Sequence, residues 1–127
     1  MPVKIVGATP SAYQYPLLIK QLLLTPLATA PDQEITYQGR LRYTYRELRQ
    51  RIGRLANVLS SLGVEAGHTV AMMDWDSHRY LESFFAVPMM GAVLQTVNVR
   101  LSPEQILYTL NHARADVVMG KSEFFPI

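Results

Sequence analysis

The sequence predicts an α/β fold: a partial, mostly parallel sheet with flanking helices, preceded by a short β-hairpin. Three observations carry this expectation. Two segments open on a helix N-cap signature and continue with apolar residues at helical spacing. Three short runs, Val70–Asp74, Val93–Val97 and Ala115–Met119, are rich in Val and Met and too short for amphipathic helices, so they read as buried strands. Helix and strand patterns alternate after residue 44. Strands separated by helices of ten or more residues join by right-handed crossovers into a parallel sheet, which needs both faces covered.

The elements follow in chain order. Residues 1–15 hold two prolines and a glycine without helical periodicity, and read as an arm or loop. From Tyr15 to about Leu24 a helix is expected, with Leu17, Leu18, Gln21 and Leu22 as a partial apolar face and Pro26 and Pro31 as its stop. Residues 34–43 form the hairpin, Glu34–Gln38 and Leu41–Tyr43 flanking Gly39-Arg40.

Residues 44–120 carry the α/β units. Thr44 and Glu47 make a capping box, with Tyr43 and Leu48 at the hydrophobic-staple positions. Leu48, Ile52, Leu55, Leu59 and Leu62 form the stripe, and Gly63 supplies the left-handed residue that lets Val64 fold back onto Leu59. After the strand Val70–Asp74, a helix runs from Ser77 to about Met90, with Pro88 as a late kink. Ser102-Pro-Glu-Gln105 repeats the cap after the second strand, with Leu101 and Ile106 as staple, and that helix reaches about His112. Met72, Met73, Met89, Met90, Phe84 and Phe85 are assigned to the core.

Composition narrows the function classes. The chain has 127 residues, 49% hydrophobic and 17% charged, enough apolar material for one packed unit and too much for disorder. Its formal charge of +2 does not by itself specify nucleic acid or an anionic membrane. With no cysteine there is no disulfide, thiolate nucleophile or Cys-ligated zinc, which fits a reducing compartment. The longest apolar run, Phe84–Leu94, falls short of the roughly 20 residues of a spanning helix. Ala28-Thr29-Ala30 mimics a signal-peptidase site, but Lys20 and Gln21 interrupt the apolar stretch before it.

Three motifs carry possible chemistry, each with a more ordinary reading. Gly120-Lys121-Ser122 looks like the end of a phosphate-binding loop, but position 115 is Ala where that loop needs Gly. Asp74-Trp75-Asp76-Ser77-His78 lies at a strand's carboxyl end, where open α/β sheets bind ligands, and its carboxylates and imidazole could hold a metal. The ordinary reading, in which Asp76 or Ser77 caps the next helix, is preferred. Six basic residues fall between Arg40 and Arg54, and those on the helix spread around its circumference, as on a solvated face. Tyr43 and Tyr45 are expected to pack at the helix start rather than stack on bases. No catalytic, cofactor-binding or metal-binding residue is assigned.

The strings TYRELRQRIGRLANVLSSLGVEAGHTVAMM and HRYLESFFAVPMMGAVLQTVNVRLSPEQILYTLNHARADVV resemble the N-terminal part of adenylate-forming acyl-CoA synthetases, long- and medium-chain fatty-acid–CoA ligases above all. Thr44-Tyr45 with Glu47-Leu48 carries the resemblance first. Gly63-Val64 with Gly67 and Val70-Ala71 comes next, followed by Ala86-Val87-Pro88 through Gly91-Ala92-Val93 to Asn98, Arg100-Leu101 and Leu110-Asn111-His112. His68 stands where the family usually has Asp, and Asp76 where it commonly has Asn.

The resemblance implies that residues 1–127 are an N-terminal piece of such an enzyme's large domain. The parent would join a fatty acid to ATP·Mg as an acyl-adenylate and pass it to CoA. This piece would be scaffold, inactive alone, because the family's phosphate loop and catalytic lysine lie beyond Ile127. Asn98 and Arg100 match a recurrent loop and are expected to order it rather than contact ATP. The family also implies a cytoplasmic homo-oligomer, and an incomplete sheet should leave apolar surface on Val70–Met73, Val93–Val97 or Val117–Met119. Rival readings are a stand-alone protein-interaction module derived from such a domain and, behind it, a nucleic-acid binder using Arg40–Arg54.

Overall fold

The computed structural model describes residues 7–125; the first six residues of the expected arm, and Pro126 and Ile127, lie outside it. The described elements are α1 (Ile19–Thr29), the hairpin strands β1 (Glu34–Tyr37) and β2 (Leu41–Thr44), α2 (Tyr45–Ser61), β3 (Thr69–Met73), α3 (His78–Met89), β4 (Val93–Thr96), α4 (Pro103–Ala113), β5 (Val117–Gly120) and a 3-10 turn at Ser122–Phe124. The expected α/β class is borne out. β3 lies between β4 and β5, both parallel to it, and the hairpin is a separate antiparallel pair.

Alternation along β3 divides the core. Val70 packs with Leu59, Val87 and Ala92 on the side of α2 and α3. Ala71 and Met73 pack with Val97 and Ile106, beneath α4. A third cluster, away from the sheet, joins α1, the hairpin, α2 and α3 through Leu23, Tyr43, Leu48, Ile52 and Ala86.

Local chemistry sets the ends of α2 and α4. The Thr44 hydroxyl accepts from the Glu47 N–H at 3.2 Å, and the Thr44 N–H donates to the Glu47 carboxylate at 2.7 Å. At the other end Gly63 takes φ +87°, its N–H donates to the Ser60 carbonyl at 3.0 Å, and the Val64 N–H donates to the Leu59 carbonyl at 3.0 Å. Ser102 and Gln105 close the same reciprocal box on α4.

Several expectations are corrected. α1 begins at Ile19 rather than Tyr15 and continues through Pro26 to Thr29. Its expected face is wrong as well: Leu17, Leu18 and Leu22 are exposed, and Leu23 is the buried residue. The anchor is tertiary, because Leu23 and Leu27 pack against α2 and α3 on either side of the proline. In the hairpin the turn is centred one residue earlier, on Gln38 and Gly39, both at positive φ. Leu62, Phe84 and Met89, expected in the core, are exposed. Leu62 is the C-cap of α2, already past the packed stripe. The open apolar surface expected on the sheet is absent from Val70–Met73, which is buried, and occurs at the outer strands, where Val93 and Val118 are exposed.

Candidate functional site

Two loops meet because their strands pair. Met72 lies opposite Thr96, and the Val97 N–H donates to the Met72 carbonyl at 3.1 Å. The Asp74–Asp76 turn after β3 and the Asn98–Arg100 loop after β4 therefore emerge side by side at the carboxyl end of the sheet. Between them is a cleft of about 250 Å³, lined by Asp74, Trp75, Asp76, Tyr80, Asn98 and Arg100 among others.

Asp74 is a buried carboxylate, 5% exposed, with both of its oxygens engaged. It accepts from the Trp75 N–H at 2.7 Å and from the Ser77 hydroxyl, and the Arg79 guanidinium lies 3.5 Å away. The Ser77–Asp74 pair could be mistaken for an activated nucleophile. Ser77 is itself buried and accepts from the Arg79 N–H at 3.2 Å, so its hydroxyl serves as the N-cap of α3. The cap reading of this motif is thereby borne out at Ser77. Asp76 takes φ +37°, the conformation that turns the chain from β3 into α3.

Across the cleft, the Asn98 side-chain oxygen accepts from the Arg100 N–H at 3.1 Å, an Asx turn, and the Asn98 carbonyl accepts from the Leu101 N–H at 3.2 Å. The Arg100 guanidinium lies 5.6 Å from the centre of the Trp75 ring, within cation–π range. Trp75 also sits 5.3 Å from the Phe124 ring, and its indole N–H donates to the Glu123 carboxylate at 2.5 Å. Lys121, 2.7 Å from Glu123 and bonded to it, holds that carboxyl below its usual range, with the indole N–H adding to the effect. Burial first, and then the charge of Asp76, raise the Tyr80 hydroxyl above the ordinary phenol value, so it remains a proton donor at neutral pH.

His78 points its chemistry elsewhere. Its ring lies 5.1 Å from Tyr37 and 6.5 Å from Tyr43, against the hairpin, and its Nδ1 is buried without a partner among the described residues. Burial chiefly, with the Arg79 charge behind it, lowers its basicity. The five-residue motif is thus split between cleft and hairpin. Among the described residues no three His, Asp or Glu side chains are grouped to hold a metal ion.

The other motifs also find structural partners. A Cβ on Gly120 would meet the Met73 carbonyl oxygen at 2.9 Å, so that glycine answers close strand packing, and Lys121 is paired with Glu123. Neither forms a cradle for a triphosphate. Within the basic segment, Arg42 pairs with Glu34, Arg46 with Asp32, and Arg51 with Glu82 at 2.6 Å while lying over the Tyr43 ring. Tyr43 is buried and Tyr45 packs beside the same cluster, as expected. Sequence reasoning missed Tyr80 and Thr96 at the cleft, Glu123 against Trp75, and Glu82, which lies away from the cleft and pairs with Arg51. The signal available for Glu82 was its neighbour Ser83 and the stripe Tyr80, Ser83, Val87, which marks the inward side of α3.

The arrangement braces the strand ends: a guanidinium over an indole, a buried carboxylate fixing a turn, and a phenol held neutral. No hydroxyl–base pair open to a substrate occurs among the cleft residues described above.

Residues 25–125 match the family described as AMP-binding enzyme. A long-chain-fatty-acid–CoA ligase of Thermus thermophilus is 48% identical over 86 residues, covering 68% of this chain and 16% of that protein. A medium-chain-fatty-acid–CoA ligase of Ectopseudomonas oleovorans is 37% identical over 86 residues, again covering 68% and 16%. The crystal structure of an anthranilate–CoA ligase in complex with anthranoyl-AMP superposes with a TM-score of 0.77 at 27% identity, covering 84% of this chain and 20% of that one. The chain thus spans about a fifth or less of these relatives, and it belongs to the AMP-binding enzyme family, of whose domain it carries an N-terminal portion.

Proposed function

We propose that this chain is the N-terminal segment of a fatty-acid–CoA ligase, which activates a fatty acid with ATP to an acyl-adenylate and transfers the acyl group to CoA. The observation that carries this is the 48% identity to the Thermus long-chain ligase over 86 residues. ATP, Mg and CoA would act at groups outside residues 7–125, since the residues described here offer no triphosphate cradle. This segment contributes scaffold and is inactive alone. Asn98 and Arg100 order the loop at the strand ends, which the Asx turn and the Trp75 contact support.

The parent enzyme is cytoplasmic and a homo-oligomer. No helix among the described residues is long and apolar enough to cross a membrane. Exposed apolar groups on the outer strands, Val93 and Val118, support association, with the remainder of the parent's own domain as the first partner of that surface.

The test is fatty-acid-dependent exchange of pyrophosphate into ATP. The full-length protein is expected to catalyse it, and residues 1–127 alone to stay at the level of a heat-treated control. Arg100→Ala is expected to slow the full-length enzyme without abolishing exchange. Total loss would mean that Arg100 acts on the reacting groups. No exchange with any fatty acid by the full-length protein would end the reading.

A further inference from the structure

Three buried side-chain polar atoms lack a hydrogen-bond partner among the described residues: the Tyr43 hydroxyl, His78 Nδ1 and Gln95 Oε1. Such atoms are few in native folds, and each calls for an explanation. Gln95 lies apart, its Nε2 donating to the Thr109 carbonyl in α4 at 3.1 Å. Tyr43 and His78 belong to one cluster. Their rings are 6.5 Å apart and edge-on, and Tyr37 packs against the same imidazole at 5.1 Å. Tyr37 ends β1, Tyr43 lies in β2 and His78 opens α3, so the imidazole touches both strands of the hairpin.

Tyr43 is 5% exposed, and neither orphan atom is open to solvent. Burial inside this piece holds whatever further chain surrounds it, and no added residue can reach these two atoms. Their partners must come from within the cluster. The two are complementary: a phenol hydroxyl donates, and the unprotonated nitrogen of a neutral imidazole accepts. The nearest carboxylates are engaged, Glu82 by Arg51 at 2.6 Å and Asp74 by Ser77 and the Trp75 N–H.

The match lasts only while His78 is neutral. Protonating Nδ1 adds a donor and removes an acceptor. Turning the hydroxyl round lets its oxygen accept, but its own proton is then unmatched, and a buried unmatched donor is costly. Charge acts in the same direction from two helices. Arg79 in α3 and Arg51 in α2 oppose a cation at His78, while Glu82 in α3 and Asp74 ahead of it favour one. The hairpin presents only the uncharged Tyr37 and Tyr43. Burial is the largest influence, and the imidazole is less basic than usual.

We propose that the Tyr43 hydroxyl donates to His78 Nδ1, directly or through one enclosed water, as a latch that ties the hairpin to α3 while the imidazole is neutral and lets it part when the imidazole is protonated. An enclosed water leaves the count unchanged, since the added proton still finds no added acceptor. The latch does not rest on the ligase reading. Below the ordinary histidine value near 6.5, hairpin opening should rise by up to about tenfold per unit of pH, until the latched form also protonates.

The test uses the full-length protein. With histidine labelled by nitrogen-15 in the ring, the His78 signals are identified by their loss in His78→Gln. At neutral pH they should show the Nε2–H tautomer, with an unprotonated Nδ1 whose shift moves in Tyr43→Phe. The Nδ1–H tautomer overturns the proposal, because the second proton would then enter at Nε2, outside the couple. Deuterium exchange, corrected for its intrinsic pH dependence, supplies the second readout. Between about pH 7.5 and 5.5 the amides of β1 and β2 should lose up to about tenfold in protection. At the acid end they should exchange well ahead of Thr69–Met73, as a hairpin parting from an intact sheet does. His78→Gln, whose amide oxygen can still accept from the phenol, should abolish the loss. Tyr43→Phe should raise hairpin opening roughly fivefold at neutral pH, the loss of one hydrogen bond. An equal loss of protection in His78→Gln, no loss at all, or a hairpin that exchanges no faster than Thr69–Met73 overturns the latch.

Discussion

α1 and α2 lie against each other in one core cluster and are built on opposite principles. α2 is capped at both ends by its own residues, carries Glu47 in its first turn, and turns Leu48, Ile52 and Leu59 inward at regular spacing. α1 has no side-chain cap at Leu18, contains Pro26, buries Leu23 alone and leaves Leu17, Leu18, Leu22 and Leu24 exposed. A helix written into its local sequence has boundaries that chemistry dictates. A helix held by its neighbours lies where those neighbours offer a surface. The second kind leaves imperfect seams, and the groove that α1 makes with α2 and α3 is one.

Four measurements break or sharpen that contrast. The largest effect is expected from Leu59→Ala, where a side chain 1% exposed is removed from the cluster that ties α2 to the sheet. It should lower stability by about 2–5 kcal/mol, read from denaturant midpoints. The half-buried Leu55 should cost less when truncated. An equal or larger loss at Leu55 would misplace the buried face of α2.

Pro26→Ala acts in the opposite direction. It restores the missing N–H and removes the ring's clash with the preceding turn, for a gain of up to about 3 kcal/mol in α1. Amide exchange at Leu23–Thr29 should slow while α2 is unchanged. Faster exchange in α1 would show that the proline shapes the Leu23–Leu27 contact surface rather than merely being tolerated there.

Thr44→Ala should cost about 1 kcal/mol by opening the capping box. The equivalent change at the N-cap of α1, Leu18→Ala, should cost close to nothing, since no side-chain bond is lost there. Equal losses in thermal midpoint would erase the contrast.

The smallest effect concerns pH. Burial and the Arg79 charge lower the folded-state basicity of His78 from an ordinary value near 6.5. The unfolded chain therefore takes up this proton first as pH falls. Stability should be fully present above about pH 6.5 and decline below it, until the folded form also protonates. Arg51 adds to the lowering, while Glu82 and Asp74 oppose it. His78→Gln should flatten the slope between pH 6.5 and 5 in urea midpoints taken across that range. An unchanged slope would assign the dependence to other groups.

At the strand-end cleft, the sequence alone indicated that Asp74-Trp75-Asp76 and Asn98–Arg100 each follow a strand. It could not show that they face one another, which depends on the Met72–Thr96 register. Nor could it show that His78 belongs to the hairpin side, because one residue past the cap α3 has already turned toward Tyr37 and Tyr43.

What the sequence by itself determined is whatever acts within one turn of chain. That covers the Thr44 and Ser102 caps, the Gly63 stop, the apolar runs of β3, β4 and β5, and hence the α/β order. These are short-range hydrogen bonds and side-chain periodicities, complete within a few consecutive residues. What only the tertiary structure decided depends on partners far away in the chain. Leu23 rather than Leu22 is buried because α2 and α3 lie on that side, and α1 continues past Pro26 because Leu27 finds the same surface. Trp75 is ordered by Arg100 and Glu123, dozens of positions downstream. No local pattern encodes such pairs, since the free energy that selects them appears only after the intervening chain has folded and excluded water between them.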